Sequence, residues 1–153
     1  MSPHDFPTNF HWGLIWLGLV IVASIGYRLS RGKPVLFFSV PNAQFIERTA
    51  SGRYEGVWWR AMGGANNCLV VAIADGRLIV RPLFPFTLLF IPELTGFELD
   101  LPLDRVSLVA MERSFFRTWV RVAYLTPDGD RRKLSLSLRQ PEDFSRLLPA
   151  KAA

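Results

Sequence analysis

The sequence is short of the side chains that most often perform chemistry. Its only histidines, His4 and His11, both precede Trp12. Everything after them lacks the commonest general base and the commonest metal ligand at once. A single cysteine, Cys68, excludes an intramolecular disulfide and fits a reducing compartment. It stands before the apolar run Leu69-Val70-Val71-Ala72-Ile73, where a free thiol behaves as a small buried hydrophobe. Charge is also sparse, at 20% of residues, and the net +5 is too mild to argue for a nucleic-acid partner. No glycine-rich loop opens a helix, and Gly63-Gly64 suits a turn better than a nucleotide site. Asp128 with Asp130, and Glu98 with Asp100 and Asp104, read as solvated turn and loop charges rather than cation ligands. These absences argue against an enzyme, so no cofactor, metal or small-molecule substrate is expected.

What is abundant is apolar surface, half of all residues, and one part of it is continuous. From Trp12 to Tyr27 the chain reads WGLIWLGLVIVASIGY without a charge. As a helix, this run with its extension through Phe10 and the stem of Arg28 would measure roughly 24 to 28 Å, slightly less than a ~30 Å hydrocarbon core; snorkelling ends cover the difference, and the transmembrane helix is expected over 10–29. Trp12, Trp16 and Tyr27 suit the interfaces, and Arg28 can extend its guanidinium toward headgroups. A cleaved signal peptide is the rival, with Val22-Ala23-Ser24 as small residues for cleavage. Asp5 stands where that reading needs basic residues, so an uncleaved anchor is expected. Arg28, Arg31 and Lys33 follow the run, with no acid before Glu47, which places that side in the cytoplasm and residues 1–9 outside a cell (inner) membrane. Gly13, Gly18 and Gly26 are not spaced for a helix-dimer seam.

At 153 residues the chain has room for one domain beyond the anchor. Residues 30–53 read as a juxtamembrane connector holding a short amphipathic helix over 42–50, on Ala43, Phe45, Ile46 and Ala50. A domain over 54–149 and a tail over 150–153 follow. Tyr54 to Met62 reads as a strand and Gly63 to Asn67 as a turn. Cys68–Ala74 and Arg77–Leu83 flank Asp75-Gly76, a strong hairpin signal. Phe84 to Phe97 is apolar but interrupted by Pro85 and Pro92, too broken for a second span, and reads as an edge or irregular strand pair. Arg105–Glu112, Arg117–Leu125 and Arg131–Arg139 complete the strands. Thr118, Val120, Val122 and Tyr124 share a face, as do Leu134, Leu136 and Leu138, so the intervening loop must be odd in length. A three-residue Asp128-Gly129-Asp130 loop would set Tyr124 opposite Leu134 and Val122 opposite Leu136. Pro141-Glu142-Asp143 opens a last helix whose stripe is Phe144, Leu147 and Leu148.

About seven strands in successive hairpins, closed by one helix, form a mainly β antiparallel barrel preceded by a single transmembrane helix. That order resembles a pleckstrin-homology-like (PH-like) domain, in particular its GRAM-like and bacterial relatives. The resemblance rests on Ala74 to Pro82, the strand pair around Pro127-Asp128-Gly129, and Pro141 to Phe144. It implies a binding scaffold that engages lipid headgroups or proteins. The basic signature of phosphoinositide-binding members has no residue-by-residue match here.

Two leads for contact remain. Arg113-Ser114-Phe115-Phe116-Arg117 sets two aromatics between arginines at a hairpin tip, and Arg121, Arg131, Arg132 and Lys133 project from the same hairpins as a basic face. Phe84, Phe86 and Phe90 line a proline-broken edge able to receive another membrane protein. Phenylalanines folded over the core, and arginines on a solvated sheet face, are the ordinary alternatives. The expected function is a non-catalytic accessory or adaptor subunit of a larger membrane assembly, with the bilayer and other membrane subunits as partners. An anionic-lipid-sensing module is the alternative.

Overall fold

Two periodicities divide the chain, one of a helix apolar all round and one of strands that alternate. The computed structural model describes residues 9–33, 40–55, 64–86, 96–115, 117–126 and 128–149. Helix α1, Asn9–Ser30, is long and apolar enough between His11 and Ser30 to cross a membrane. Most of its large side chains are exposed, Trp12, Ile15, Trp16, Leu19 and Val22 among them. It ends in a Schellman turn, in which Gly32 adopts φ +65°, its N–H donates to Leu29 O, and the Lys33 N–H donates to Arg28 O.

The rest is mainly β: a seven-stranded antiparallel open sheet and a short C-terminal helix. The strands are β1 (Ala43–Tyr54), β2 (Ala65–Ala74), β3 (Arg77–Pro82), β4 (Leu99–Pro102), β5 (Val106–Ser114), β6 (Arg117–Leu125) and β7 (Arg131–Leu138), followed by α2 (Pro141–Leu147). Their order is β4-β3-β2-β1-β7-β6-β5, so β1 is central. One sheet face supplies Leu69, Val71, Ile73, Val120, Val122, Leu134 and Leu136 to the core, all fully buried. Phe144 of α2 and Phe45 of β1 meet with ring centroids 5.3 Å apart, and Tyr54 stacks on Phe97 at 4.8 Å.

The hairpin at Asp75-Gly76 forms as expected, with φ +49° and +71°, the signs of a type I′ turn. The alternations in β6 and β7 also hold, but their register differs by two residues from the three-residue loop. Val122 faces Leu134 and Val120 faces Leu136, while Leu125 pairs with Arg131. Thr126 is drawn into the turn, its Oγ1 accepting from the Asp130 N–H and its carbonyl from the Gly129 N–H. The loop from Thr126 to Asp130 is still odd, which is what the shared inner face required.

The expected helix over 42–50 is instead the first part of β1. Phe45 and Glu47 are buried while Ile46 and Arg48 are exposed, a period of two that the apolar residues alone did not reveal. The sheet accordingly begins at Ala43, upstream of position 54. Ala65 to Asn67 belong to β2 rather than to a turn, and β4 was not anticipated at all. The strand expected over 54–62 lies outside the described residues beyond Glu55, and the Phe84–Phe97 segment does so over 87–95. Cys68 is half-buried, and burial pushes its thiol up.

Strand β1 is bent rather than straight. Arg48 pairs with Val70 and Ala50 with Leu69, leaving Thr49 as an extra residue at φ +68°, a β-bulge in a conformation rare for a β-branched side chain. β1 pairs with β2 on both sides of the bulge, from Ala43 to Gly52, and only Ser51–Tyr54 pair with β7. At the bend Gly52 is enclosed, since a Cβ there would stand 2.6 Å from Leu69 Cδ1 and 2.9 Å from Phe97 Cε1. Both neighbours are fully buried and have no room to yield. Gly52→Ala should therefore cost about 1–3 kcal/mol by overpacking, read as a fall of several degrees in Tm in detergent, and an unchanged Tm would contradict this packing.

Candidate functional site

The site begins where the apolar helix meets the sheet. Ile21, Ser24, Ile25 and Arg28 share one helix face and are the covered residues of α1, so its last two turns lie against the rest of the chain. Arg28 is 2% exposed, and its Nη2 donates to Glu98 Oε1 at 3.0 Å. Lys33, 38% exposed, donates from Nζ to Glu98 Oε2 at 2.7 Å. One carboxylate, itself 16% exposed, thus joins two cations at the end of α1 to the residue preceding β4. Arg28 therefore faces the domain rather than headgroups. Glu98 is a structural partner and not a solvated loop charge. Asp100 likewise lies on β4, where it accepts from Arg77 at 2.6 Å and stands 3.8 Å from Arg81, while Asp104 is exposed. Of the other anchor residues, Trp12, Trp16 and Tyr27 are exposed, and the Arg31 guanidinium lies 5.5 Å from the Tyr27 ring centroid.

The end of β1 ties this joint to the neighbouring loops. Tyr54 donates its hydroxyl to Gly96 O, and the Glu55 N–H donates to Lys133 O. Glu55 is the hub on the outer sheet face, accepting from Arg121 Nε and from Ser135 Oγ. Burial alone would push its carboxyl up, but the hydrogen bonds from Ser135 and Arg121, with the charges of Arg121 and Lys133, hold it below the ordinary carboxylate value. Arg121 also meets Glu112 at 2.9 Å and is fully engaged within the sheet.

The cations expected to form one face are in fact divided. Arg117 and Leu125 are the two ends of β6, about 26 Å apart at ~3.3 Å per residue. Arg131, Arg132 and Lys133 are exposed at the Leu125 end, where Arg132 stands 4.0 Å from Asp130. Arg113 and Arg117 occupy the other end, beside Phe115, which is fully exposed at the hairpin tip. Phe84 and Phe86 are partly exposed after β3, whereas Phe90 and Phe116 lie outside the described residues.

Arg113, Arg117 and Arg139 border an open cleft of about 560 Å³ in the wedge where β1 bends away from β7. Thr49, Asn67, Thr118 and Ser137 add polar groups to its wall. Glu47 lies in the same cleft, and its carboxylate accepts the Arg139 N–H at 2.8 and 2.9 Å and the Gln140 N–H at 3.3 Å, just before α2. Arg117 donates to Ser51 Oγ at 3.3 Å, and Ser51 accepts from the Asn67 N–H at 3.0 Å. Arg113 meets Glu142 at 2.9 Å. Glu47 and Arg139 were not among the residues singled out in the sequence, because their proximity depends on the bulge at Thr49. Among the described residues no three His, Cys, Asp or Glu side chains are grouped as a metal site requires. No protein-family model matches the chain, and no curated protein or solved structure matches it either.

Removing the shared carboxylate by Glu98→Gln takes from the covered Arg28 the counter-charge that stands 3.0 Å from it. The expected loss is about 1–3 kcal/mol, below the ~3–5 of a fully buried pair because Glu98 and Lys33 still touch water. Faster tryptic cleavage at the Arg31–Gly32 bond in detergent would register it, and wild-type cleavage would refute the joint. The lowered Glu55 carboxyl stabilises the fold above the unfolded carboxylate pKa, and that contribution is lost as pH falls through the folded value. Glu55→Gln should therefore flatten the acid side of the stability profile. An acid limb identical to wild type would contradict it.

Proposed function

We propose that this chain is a membrane-anchored, non-catalytic interaction module that serves as an accessory or adaptor subunit of a larger membrane assembly. The observation that carries the proposal is the union of an uncovered apolar helix with a β domain through Glu98, Arg28 and Lys33. An interaction domain fixed to its anchor in this way presents its surfaces at a defined height and orientation, which suits recognition of neighbours in the same membrane. The fully exposed Phe115, and Phe84 and Phe86 after β3, are apolar contacts of the type that partners cover. A PH-like scaffold is supported by the strand order, with β1 between β2 and β7, and by α2 set over Phe45. In this reading α1 spans the inner membrane once, and Arg28, Arg31 and Lys33 mark the cytoplasmic side.

A second reading, an anionic-lipid sensor, has a narrower basis. Exposed Arg131, Arg132 and Lys133 lie beside the end of β1 that Tyr54 links to Gly96, two residues before Glu98. Each cation near an anionic surface contributes up to ~1 kcal/mol, so this loop would assist the anchor.

Co-purification of the tagged full chain in mild detergent, followed by mass spectrometry, separates the two readings. The adaptor reading expects the same membrane subunits in each preparation at fixed ratio. Repeated recovery as a lone monomer would contradict it. Salt-sensitive attachment of that monomer to anionic but not neutral vesicles would favour the lipid reading instead.

A further inference from the structure

The wedge between β1 and β7 is an open cleft of about 560 Å³, and the adaptor function as stated gives it no occupant. Its size lies within the range of cavities that hold small ligands or one or two peptide side chains. Its lining is asymmetric in charge. Three arginines, Arg113, Arg117 and Arg139, border it. Among the described lining residues the one carboxylate is that of Glu47, which is buried and turned to the backbone N–H groups of Arg139 and Gln140. Guanidiniums present planar paired donors that match an oxyanion, and Thr49, Thr118 and Ser137 stand beside them with hydroxyl groups. At the rim, Phe115 offers a fully exposed ring.

The surroundings discriminate between two sources of anion. Glu112 pairs with Arg121, Glu142 with Arg113 and Asp143 with Arg146, all three carboxylates more than half exposed. A flat anionic bilayer approaching this face would meet these carboxylates together with the arginines, with little net attraction. A narrow chain can enter the wedge and avoid them. We propose that the cleft receives an acidic segment of a partner protein, a carboxylate seating among Arg113, Arg117 and Arg139 while an adjacent apolar residue covers Phe115. The proposal rests on the adaptor reading and names the chemistry of the partner at this surface.

The test uses the full chain in neutral-lipid nanodiscs, titrated with a labelled peptide of glutamates flanking one phenylalanine. The control peptide carries glutamine at every glutamate position. The acidic peptide should bind about tenfold more tightly than the control, or ~1.4 kcal/mol. Arg117→Gln with Arg139→Gln should abolish that difference, and Arg132→Gln with Lys133→Gln should preserve it. Each variant is first required to retain the wild-type Tm. Equal affinity for both peptides, or no binding of the acidic one, would overturn the proposal. So would binding of phosphatidylserine vesicles that depends on Arg117 and Arg139. Retention of co-purifying subunits by the Arg117/Arg139 variant would show that the cleft assignment has failed while the adaptor reading stands. Loss of subunits from the wild-type chain itself would bring down the reading beneath it.

Discussion

Glu98 stands between two cations that belong to the end of an apolar helix, and the relation of helix to sheet depends on it. Arg28 is almost wholly covered, so its charge requires a partner within the protein, and the Schellman turn at Gly32 brings Lys33 back to the same carboxylate. Glu98 adds an ionic link to the covered face of Ile21, Ser24 and Ile25, and with it the last turns of α1 become part of the domain boundary.

A second constraint acts inside the sheet. The bulge at Thr49 bends β1, which pairs with β2 on both sides of it and gains β7 as a second partner over its last four residues. The enclosure of Gly52 at the bend shows how closely the core follows that change of direction. The same bend separates β1 from the end of β7 and opens the arginine-bordered wedge, with Glu47 anchoring the chain that leads into α2. The cleft therefore arises from the way the sheet turns, which sets Arg139 beside the β5–β6 hairpin that carries Arg113 and Arg117.

Elements governed by local chemistry were legible in advance. The hairpin at Asp75-Gly76, the alternating Leu134, Leu136 and Leu138, and the helix opened by Pro141 each carry a short-range signal that the fold respects. Where burial involved a charged residue, the pattern misled. Glu47 belongs to the inner series of β1 but counts as polar, so Ala43, Phe45, Ile46 and Ala50 looked helical. Glu98 resembled a loop charge because its partners lie 65 and 70 positions away. The register of β6 against β7 depended on Thr126 joining the turn, which parity restricted but could not choose. For the contact surfaces, the arginines were identifiable one by one. Their division between the two ends of β6 was not, since composition carries no account of strand length.

The most direct measurement of the account is the distance between spin labels at Ser30, on the exposed end of α1, and at Asp75, in the β2–β3 turn. It is made in lipid nanodiscs with Cys68 replaced by serine. A carboxylate that joins helix to sheet predicts one narrow distance distribution in the otherwise wild-type chain and a broad one when Glu98 is glutamine. Equally broad distributions in both would contradict it, because the helix would then be a tether and the domain free to turn upon it.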